Sequence, residues 1–322
     1  MSENGMTQAG AELAQLVSLG ADYDAQLAAR WRVLPLFQED APEARLKALA
    51  PDVRLLVTSA RVGVTPDTLQ VLPQLQAICS WGVGCDALPL QAARDRRVAV
   101  SNTPDVLSEC VADMAWGLLL ASARQIPAGD RYARSGGWVS QGKFPLTTQV
   151  WGKRLGILGM GRIGQAIARR GQGFGMALRY HNRRPRTDLA VGDYEPSLIE
   201  LARWADFLVV ACPGGEQTRH LVDAPVLQAL GPKGLLINIA RGSVVDESAL
   251  IPLLQTGALG GAGLDVFERE PGVPADLAVI DRVVLMPHAA SGTRETAGKM
   301  SQLVVDNLIA WQDRQQLLTP VA

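Results

Sequence analysis

Short apolar runs alternate with amphipathic stretches along the whole chain. In the first hundred residues, 15–19, 33–36, 53–58, 75–80 and 98–101 have the apolar, β-branched character of strands. Between them, 23–31, 42–50, 66–72 and 88–96 carry helical spacing. Strands alternating with helices predict βαβ units and a parallel sheet. A second series begins at Arg154, with strands predicted at 154–159, 177–181, 207–211, 235–239, 263–267 and 283–286. Six strands with intervening helices is the count for a full dinucleotide-binding domain. Two further elements flank this series. Residues 108–124 form an apolar helical stretch with almost no polar break, which predicts a buried helix. Residues 293–316 predict one more amphipathic helix, and the Gly-rich, aperiodic 135–148 reads as a loop or arm.

Composition narrows the class. The 322 residues suffice for two domains, and 48% hydrophobic with 20% charged residues fits a globular protein with a sizeable core. A net charge of −1 argues against a general nucleic-acid binder, which needs a basic excess. None of the four cysteines, Cys79, Cys85, Cys110 and Cys212, forms a C-x-x-C pair. They lie in apolar runs, which predicts reduced thiols and no disulfide framework. Residues 1–5 lack the basic start of a signal peptide, and no uncharged apolar run reaches the roughly 20 residues that span a bilayer. A cytoplasmic protein is expected.

Gly159, Gly161 and Gly164 form a G-x-G-x-x-G loop between a predicted strand and a predicted helix. The first glycine makes the turn, the second admits a pyrophosphate, and the third lets helix pack on strand. The helix N-terminus then favours the anion. An acidic residue about 20 positions on normally takes the ribose hydroxyls of NAD, but here the strand ends in His181-Asn182-Arg183-Arg184-Pro185-Arg186. Asp188 and Asp193 come too late. The guanidinium forks of Arg183 and Arg184, with the Asn182 amide, suit a 2′-phosphate, so NADPH is expected over NADH.

Three stretches at predicted strand ends can carry chemistry: Asn238–Gly242, Asp265–Pro271 and Pro287–Ser291. Open α/β sheets bind ligands at such carboxyl ends. Together they hold what carbonyl reduction needs. A His donates a proton to the nascent alkoxide, a carboxylate orients it, and an Arg holds a substrate carboxylate and polarises the carbonyl. Of the three histidines, His181 lies at the adenosine end and His220 shows no convergent partner, which leaves His288. In the first series, Gly82-Val83-Gly84-Cys85-Asp86 reads either as a ligand loop or as a tight turn with Asp86 as N-cap.

With Asn102-Thr103-Pro104, these ordered motifs resemble the D-isomer-specific 2-hydroxyacid dehydrogenases over nearly the whole chain. The run Tyr180–Arg184 is similar to the NADPH-dependent glyoxylate/hydroxypyruvate reductase and 2-ketogluconate reductase branches. The resemblance implies an α/β fold of two domains. A Rossmann dinucleotide-binding domain (101–289) is inserted in a discontinuous flavodoxin-like substrate domain (1–100 and 290–322). It implies Arg241 as the holder of substrate carboxylate and carbonyl, His288 as general acid with Glu270 as partner, and substrate binding by the backbone N–H groups of Val83 and Gly84. Cofactor binding would fall to Gly159, Gly161, Arg162, Ile163, Gly164, Asn182, Arg183, Arg184 and Asp265. It also implies a homodimer joined through the cofactor domain, with Trp138 reaching the neighbouring subunit. The expected activity is reduction of a small 2-keto acid, namely glyoxylate, hydroxypyruvate or 2-ketogluconate, to the (R)-2-hydroxy acid. A larger or phosphorylated substrate, with Arg61 either serving it or standing as a surface residue, and a dinucleotide-sensing corepressor-like role are the other readings. Cys85 stands where many members carry Tyr.

Overall fold

The computed structural model describes residues 12–39, 42–188 and 191–321. The first five residues, where a leader was sought, lie outside them. The chain forms two units, Met1–Leu107 with Thr293–Ala322, and Ser108–Gly292.

The first unit is built on five parallel strands, β1 (Leu13–Gln15), β2 (Val33–Pro35), β3 (Leu55–Ser59), β4 (Ala77–Trp81) and β5 (Ala99–Ser101). Their order is β2-β1-β3-β4-β5, the flavodoxin-like arrangement. Side chains alternate between faces along a strand, and both faces here are apolar. Ala14, Leu56, Ile78 and Val100 pack with Leu34, Leu46 and Leu69 on one side. Leu13, Leu55, Val57 and Cys79 pack on the other with Leu27 and with Val304, Val305 and Leu308 of the C-terminal helix Arg294–Arg314. That two-sided covering is why the strands read as continuous apolar runs. Four helices connect them: α1 (Ala21–Arg30), α2 (Pro42–Leu49), α3 (Pro66–Gln70) and α4 (Leu90–Asp95). The first strand lies at 13–15 rather than the expected 15–19. Residues 16–20 turn instead, because the Asp24 carboxylate takes the Leu19 N–H and the Ser18 hydroxyl at the start of α1.

The second unit carries seven parallel strands: β6 (Arg154–Leu158), β7 (Ala177–His181), β8 (Asp193–Tyr194), β9 (Phe207–Val210), β10 (Leu235–Asn238), β11 (Gly261–Leu264) and β12 (Val283–Leu285). The order β12-β11-β10-β9-β6-β7-β8 reverses direction between β6 and β9, the switch point where such sheets bind ligands. Six strands were expected. The seventh, β8, is a two-residue edge pairing with Arg179 and Tyr180, too short to leave a period.

Helix α5 (Ser108–Ala123) is buried as expected and packs on β10 and β11. Gly263 allows this approach, since a Cβ there would lie 2.9 Å from Ser122 Oγ and 3.0 Å from Leu118 Cβ. Glycines weaken the strand signal, so β11 was expected at 263–267, yet 265–267 form a turn. Helices α6 (Ile126–Arg134) and α7 (Gly137–Ser140) follow. The latter lies in the segment expected to be a loop, where Gly137 lets the backbone sit against the Tyr132 ring. Helices α8 (Arg162–Gly173), α9 (Leu198–Trp204), α10 (Ala224–Leu230), α11 (Glu247–Thr256) and α12 (Ala275–Ala278) complete the unit. No helix among the described residues is long and apolar enough to cross a membrane.

Candidate active site

The glycine loop sits at the switch point and follows steric need. Gly159 has φ +102°, and a Cβ there would lie 2.5 Å from Cys212 N at the end of β9. A Cβ on Gly164 would lie 2.1 Å from Gly159 O, so this glycine lets α8 close onto the turn. Gly161 has nothing within 4 Å of its Cβ position, and the cradle is open where a pyrophosphate would approach. Arg162 and Ile163 open α8. Beyond β7, Asn182 Oδ1 accepts the Met160 N–H at 2.7 Å and ties the basic turn to the glycine loop. Arg183 and Arg184 are exposed, and Arg183 Nη1 donates to Gln217 Oε1 at 3.0 Å. Arg186 holds Met160 O at 3.1 Å and pairs with Asp188. That pairing holds the Asp188 carboxyl down at about 2. This loop fits a dinucleotide: its cradle is open, and the turn tied to it by Asn182 and Arg186 carries two exposed arginines.

The residues expected to react follow β10, β11 and β12. Asn238, 1% exposed, ends β10 and closes the next turn on itself. Its Oδ1 accepts the Ala240 N–H at 3.0 Å, and its Nδ2 donates to Arg241 O at 3.0 Å. Arg241 Nη1 donates to Ala240 O at 2.7 Å. Gly242 then meets the next loop, since a Cβ on it would lie 1.8 Å from the Phe267 carbonyl carbon and 2.3 Å from Glu268 N. Only glycine lets these two loops touch.

Glu270 is held by the same turn. Its Oε1 accepts the Phe267 N–H at 3.0 Å, and its Oε2 lies 2.6 Å from His288 Nδ1. A carboxylate only accepts, so Nδ1 carries the proton toward Glu270 and Nε2 is the nitrogen left to act on a substrate. His288 has φ +53°, a left-handed conformation uncommon for a side chain of its size. Its backbone is fixed by N–H donation to Asp265 O at 2.7 Å. Asp265 is fully buried, and its two oxygens accept the N–H groups of Ala289 and Ala290 at 2.7 and 2.9 Å. Burial pushes the Asp265 carboxyl up, and those two N–H bonds pull the other way. The visible work of Asp265 is thus to hold the His288 loop.

His220, for which the sequence offered no partner, has one. Its Nε2 lies 2.6 Å from Glu268 Oε1. The two residues are 48 positions apart, and no local pattern announces the contact. Strand order explains it, because the loops after β9 and β11 flank β10.

In the first unit, the loop after β4 is pinned on one side. Gly82 O accepts the Thr103 N–H at 3.0 Å, and Val83 O accepts Asn102 Nδ2 at 2.8 Å. In a trans peptide the N–H points opposite to its C=O. The N–H groups of Val83 and Gly84 therefore point away from 102–103. Asp86 lies in a turn, and the N-cap of α4 is Pro89, so the N-cap reading of Asp86 does not hold. Arg61 is exposed in the turn after β3. None of the four cysteines forms a disulfide, and burial pushes Cys79 up to about 12 and Cys212 up to about 11.

Residues 116–290 match the family model described as D-isomer specific 2-hydroxyacid dehydrogenase, NAD binding domain. The chain belongs to the D-isomer-specific 2-hydroxyacid dehydrogenases. It is an NAD(P)-dependent oxidoreductase of that family. It is 46% identical over 296 residues to glyoxylate/hydroxypyruvate reductase A of Arabidopsis thaliana, covering 92% of this chain and 94% of that protein. It is 43% identical over 276 residues to 2-ketogluconate reductase of Gluconobacter oxydans, covering 86% and 88%. Among solved structures, the NADPH-dependent glyoxylate/hydroxypyruvate reductase of Sinorhizobium meliloti, in complex with NADP and malonate, superposes with TM-score 0.87 at 40% identity. That match covers 97% of this chain and 96% of the other. In this dehydrogenase the two-domain α/β architecture is thus the family's own.

Proposed function

We propose that this dehydrogenase reduces a small 2-keto acid, glyoxylate, hydroxypyruvate or 2-ketogluconate, to the (R)-2-hydroxy acid, with NADPH preferred over NADH. The observation that carries this reading is the 2.6 Å contact of His288 Nδ1 with Glu270 Oε2, on a turn packed directly against the Arg241 loop. A bound reduced nicotinamide supplies the hydride to the carbonyl carbon. Arg241 holds the substrate carboxylate and draws charge from the carbonyl. Glu270 holds the imidazole by Nδ1, and His288 delivers its Nε2 proton to the oxygen that becomes the hydroxyl. The N–H groups of Val83 and Gly84 offer donors to a carboxylate.

Gly159, Gly161, Arg162, Ile163 and Gly164 would hold the pyrophosphate, with Asp265 behind the reacting loop. Asn182, Arg183 and Arg184 would take the 2′-phosphate. What supports NADPH is the pair of exposed guanidinium groups at the end of β7 and the NADP in the Sinorhizobium relative. The exposed apolar side chains of the arm, Trp138, Val139 and Leu146, with Trp151 just past it, support a homodimer joined there. Four cysteines without a disulfide suit a reducing compartment, the cytoplasm.

The test is a panel of the three keto acids, each assayed with NADPH and with NADH. Turnover with at least one, faster with NADPH, is expected. No oxidation of either cofactor with any of the three defeats the reading.

A further inference from the structure

The second unit holds two histidine–glutamate pairs on one turn. His288 meets Glu270 and His220 meets Glu268, each at 2.6 Å. Both histidines have left-handed backbone, φ +53° and +49°. Such conformations persist in side-chain-bearing residues only where surrounding contacts over-determine them, and they concentrate at functional sites. The backbone of His220 is fixed by N–H donation to Ser243 O at 2.8 Å, two residues past Arg241.

Glu268 is held from a second direction. Its N–H donates to Glu247 Oε1 at 2.9 Å, and burial pushes the Glu247 carboxyl up. The Gly242 contact closes on the same peptide. The turn 267–270 therefore has its backbone gripped by Glu247 and Gly242 and its outer side chain gripped by His220. Glu270, two residues on, is what that grip aims. The loop bearing His220 also bears Gln217, which accepts from Arg183 at 3.0 Å. One segment thus reaches from the basic turn to the reacting turn.

His220, Asp246 and Glu268 are also the group of described side chains whose ligand atoms lie within 4.8 Å of one another. The 2.6 Å contact is a hydrogen bond rather than a pair of ligands, which on one zinc ion would stand about 3.4 Å apart. Asp246 Oδ1 is occupied in capping α11 through the N–H groups of Ser248 and Ala249.

We propose that His220 is a positioning residue for the reduction: its bond to Glu268 fixes the turn that aims Glu270 at His288. The proposal rests on the reading of His288 as general acid.

The test compares His220→Ala and His220→Gln in the full chain, with wild-type thermal stability and NADPH fluorescence titration confirming the fold. His220→Ala is expected to lower kcat about 10-fold, with KM for NADPH and keto acid within about threefold of wild type. His220→Gln, whose amide still donates to Glu268, recovers most of the rate. In the free protein, the low-field proton signal of the His288–Glu270 bond should move or broaden in His220→Ala and return in His220→Gln. An unchanged kcat in a folded His220→Ala, equal impairment of both variants, or an unmoved His288 signal overturns the proposal. Should His220→Ala not fold, Glu268→Leu removes the acceptor while keeping much of the side-chain bulk, and an unchanged kcat in folded Glu268→Leu overturns it as well. Wild-type protein inactive on every keto acid defeats the parent reading instead, and the proton signal, which needs no turnover, still judges the positioning role.

Discussion

The two ends of the seven-stranded sheet's carboxyl edge follow opposite plans. After β10–β12, Glu270 and His288 are only 23% and 22% exposed in their side chains. Glu270 accepts the Phe267 N–H, the His288 N–H donates to the Asp265 carbonyl, and the Arg241 loop touches the next loop with no room for a Cβ. After β7, Arg183 and Arg184 stand in solvent, with a single amide contact at Arg183. Proton transfer needs its donor placed within a fraction of an ångström, and a small misplacement costs orders of magnitude. A phosphate is held by charge and forked donors, which tolerate adjustment. On the proposed function, rigidity is concentrated where geometry would set the rate and relaxed where charge would set affinity.

Changes at the rigid end should cost most. His288→Ala is expected to lower kcat by ~10²–10⁴, the span of a general acid. Arg241→Ala should lower kcat/KM for the keto acid by about 10² or more, read from steady-state kinetics. Near wild-type turnover in either removes the roles assigned to them. Gly242→Ala tests whether the packing itself matters. Its new methyl must displace the Phe267 carbonyl, so a kcat loss approaching ~10² with a lowered melting temperature is expected, although no reacting group is removed. If that variant behaves as wild type, the interlocking of the two loops is not what sets the rate.

The soft end should respond in kind. The double change Arg183→Ala, Arg184→Ala is expected to raise KM for NADPH about 10-fold or more and leave NADH nearly unaffected, since each charged hydrogen bond lost costs about 1.5–3 kcal/mol. The wild-type NADPH affinity should also weaken with added salt. Equal effects on both cofactors break the contrast.

The smallest effect lies at the opposite edge of the sheet. Arg154 pairs with Asp206 at 2.9 Å, with side chains 46% and 22% exposed, so solvent screens the pair to roughly 0–1 kcal/mol. Burial alone would raise the Asp206 carboxyl, yet the bonds and charge of Arg154 hold it below its ordinary 3.8. The stabilisation is therefore present above 3.8 and is lost as pH falls through the lowered value. Asp206→Asn should melt slightly earlier than wild type at neutral pH, with the gap closing in acid below 3.8. A gap that persists there assigns it to packing.

Legibility in the sequence followed the same division. The motifs at Gly159–Gly164, Asn238–Gly242 and Asp265–Pro271 stand in unbroken order, and the strands beside them were found to within a few residues because their apolar runs are covered on both faces. β8 escaped because two residues carry no period. β11 was displaced because the glycines that let α5 approach erase its strand signal. The His220–Glu268 pair was invisible because it joins loops that only the strand order brings together.

The order of apolar runs and glycines along the chain determined that this protein would fold as two parallel α/β units with a tight glycine turn at the sheet's switch point, since periodicity and steric need are local properties. That Glu268 meets the His220 imidazole was decided by the tertiary structure alone. Contacts across adjacent strand ends depend on sheet order and on sub-ångström packing, such as that of Gly242 on Phe267, and neither is written in the spacing of residues.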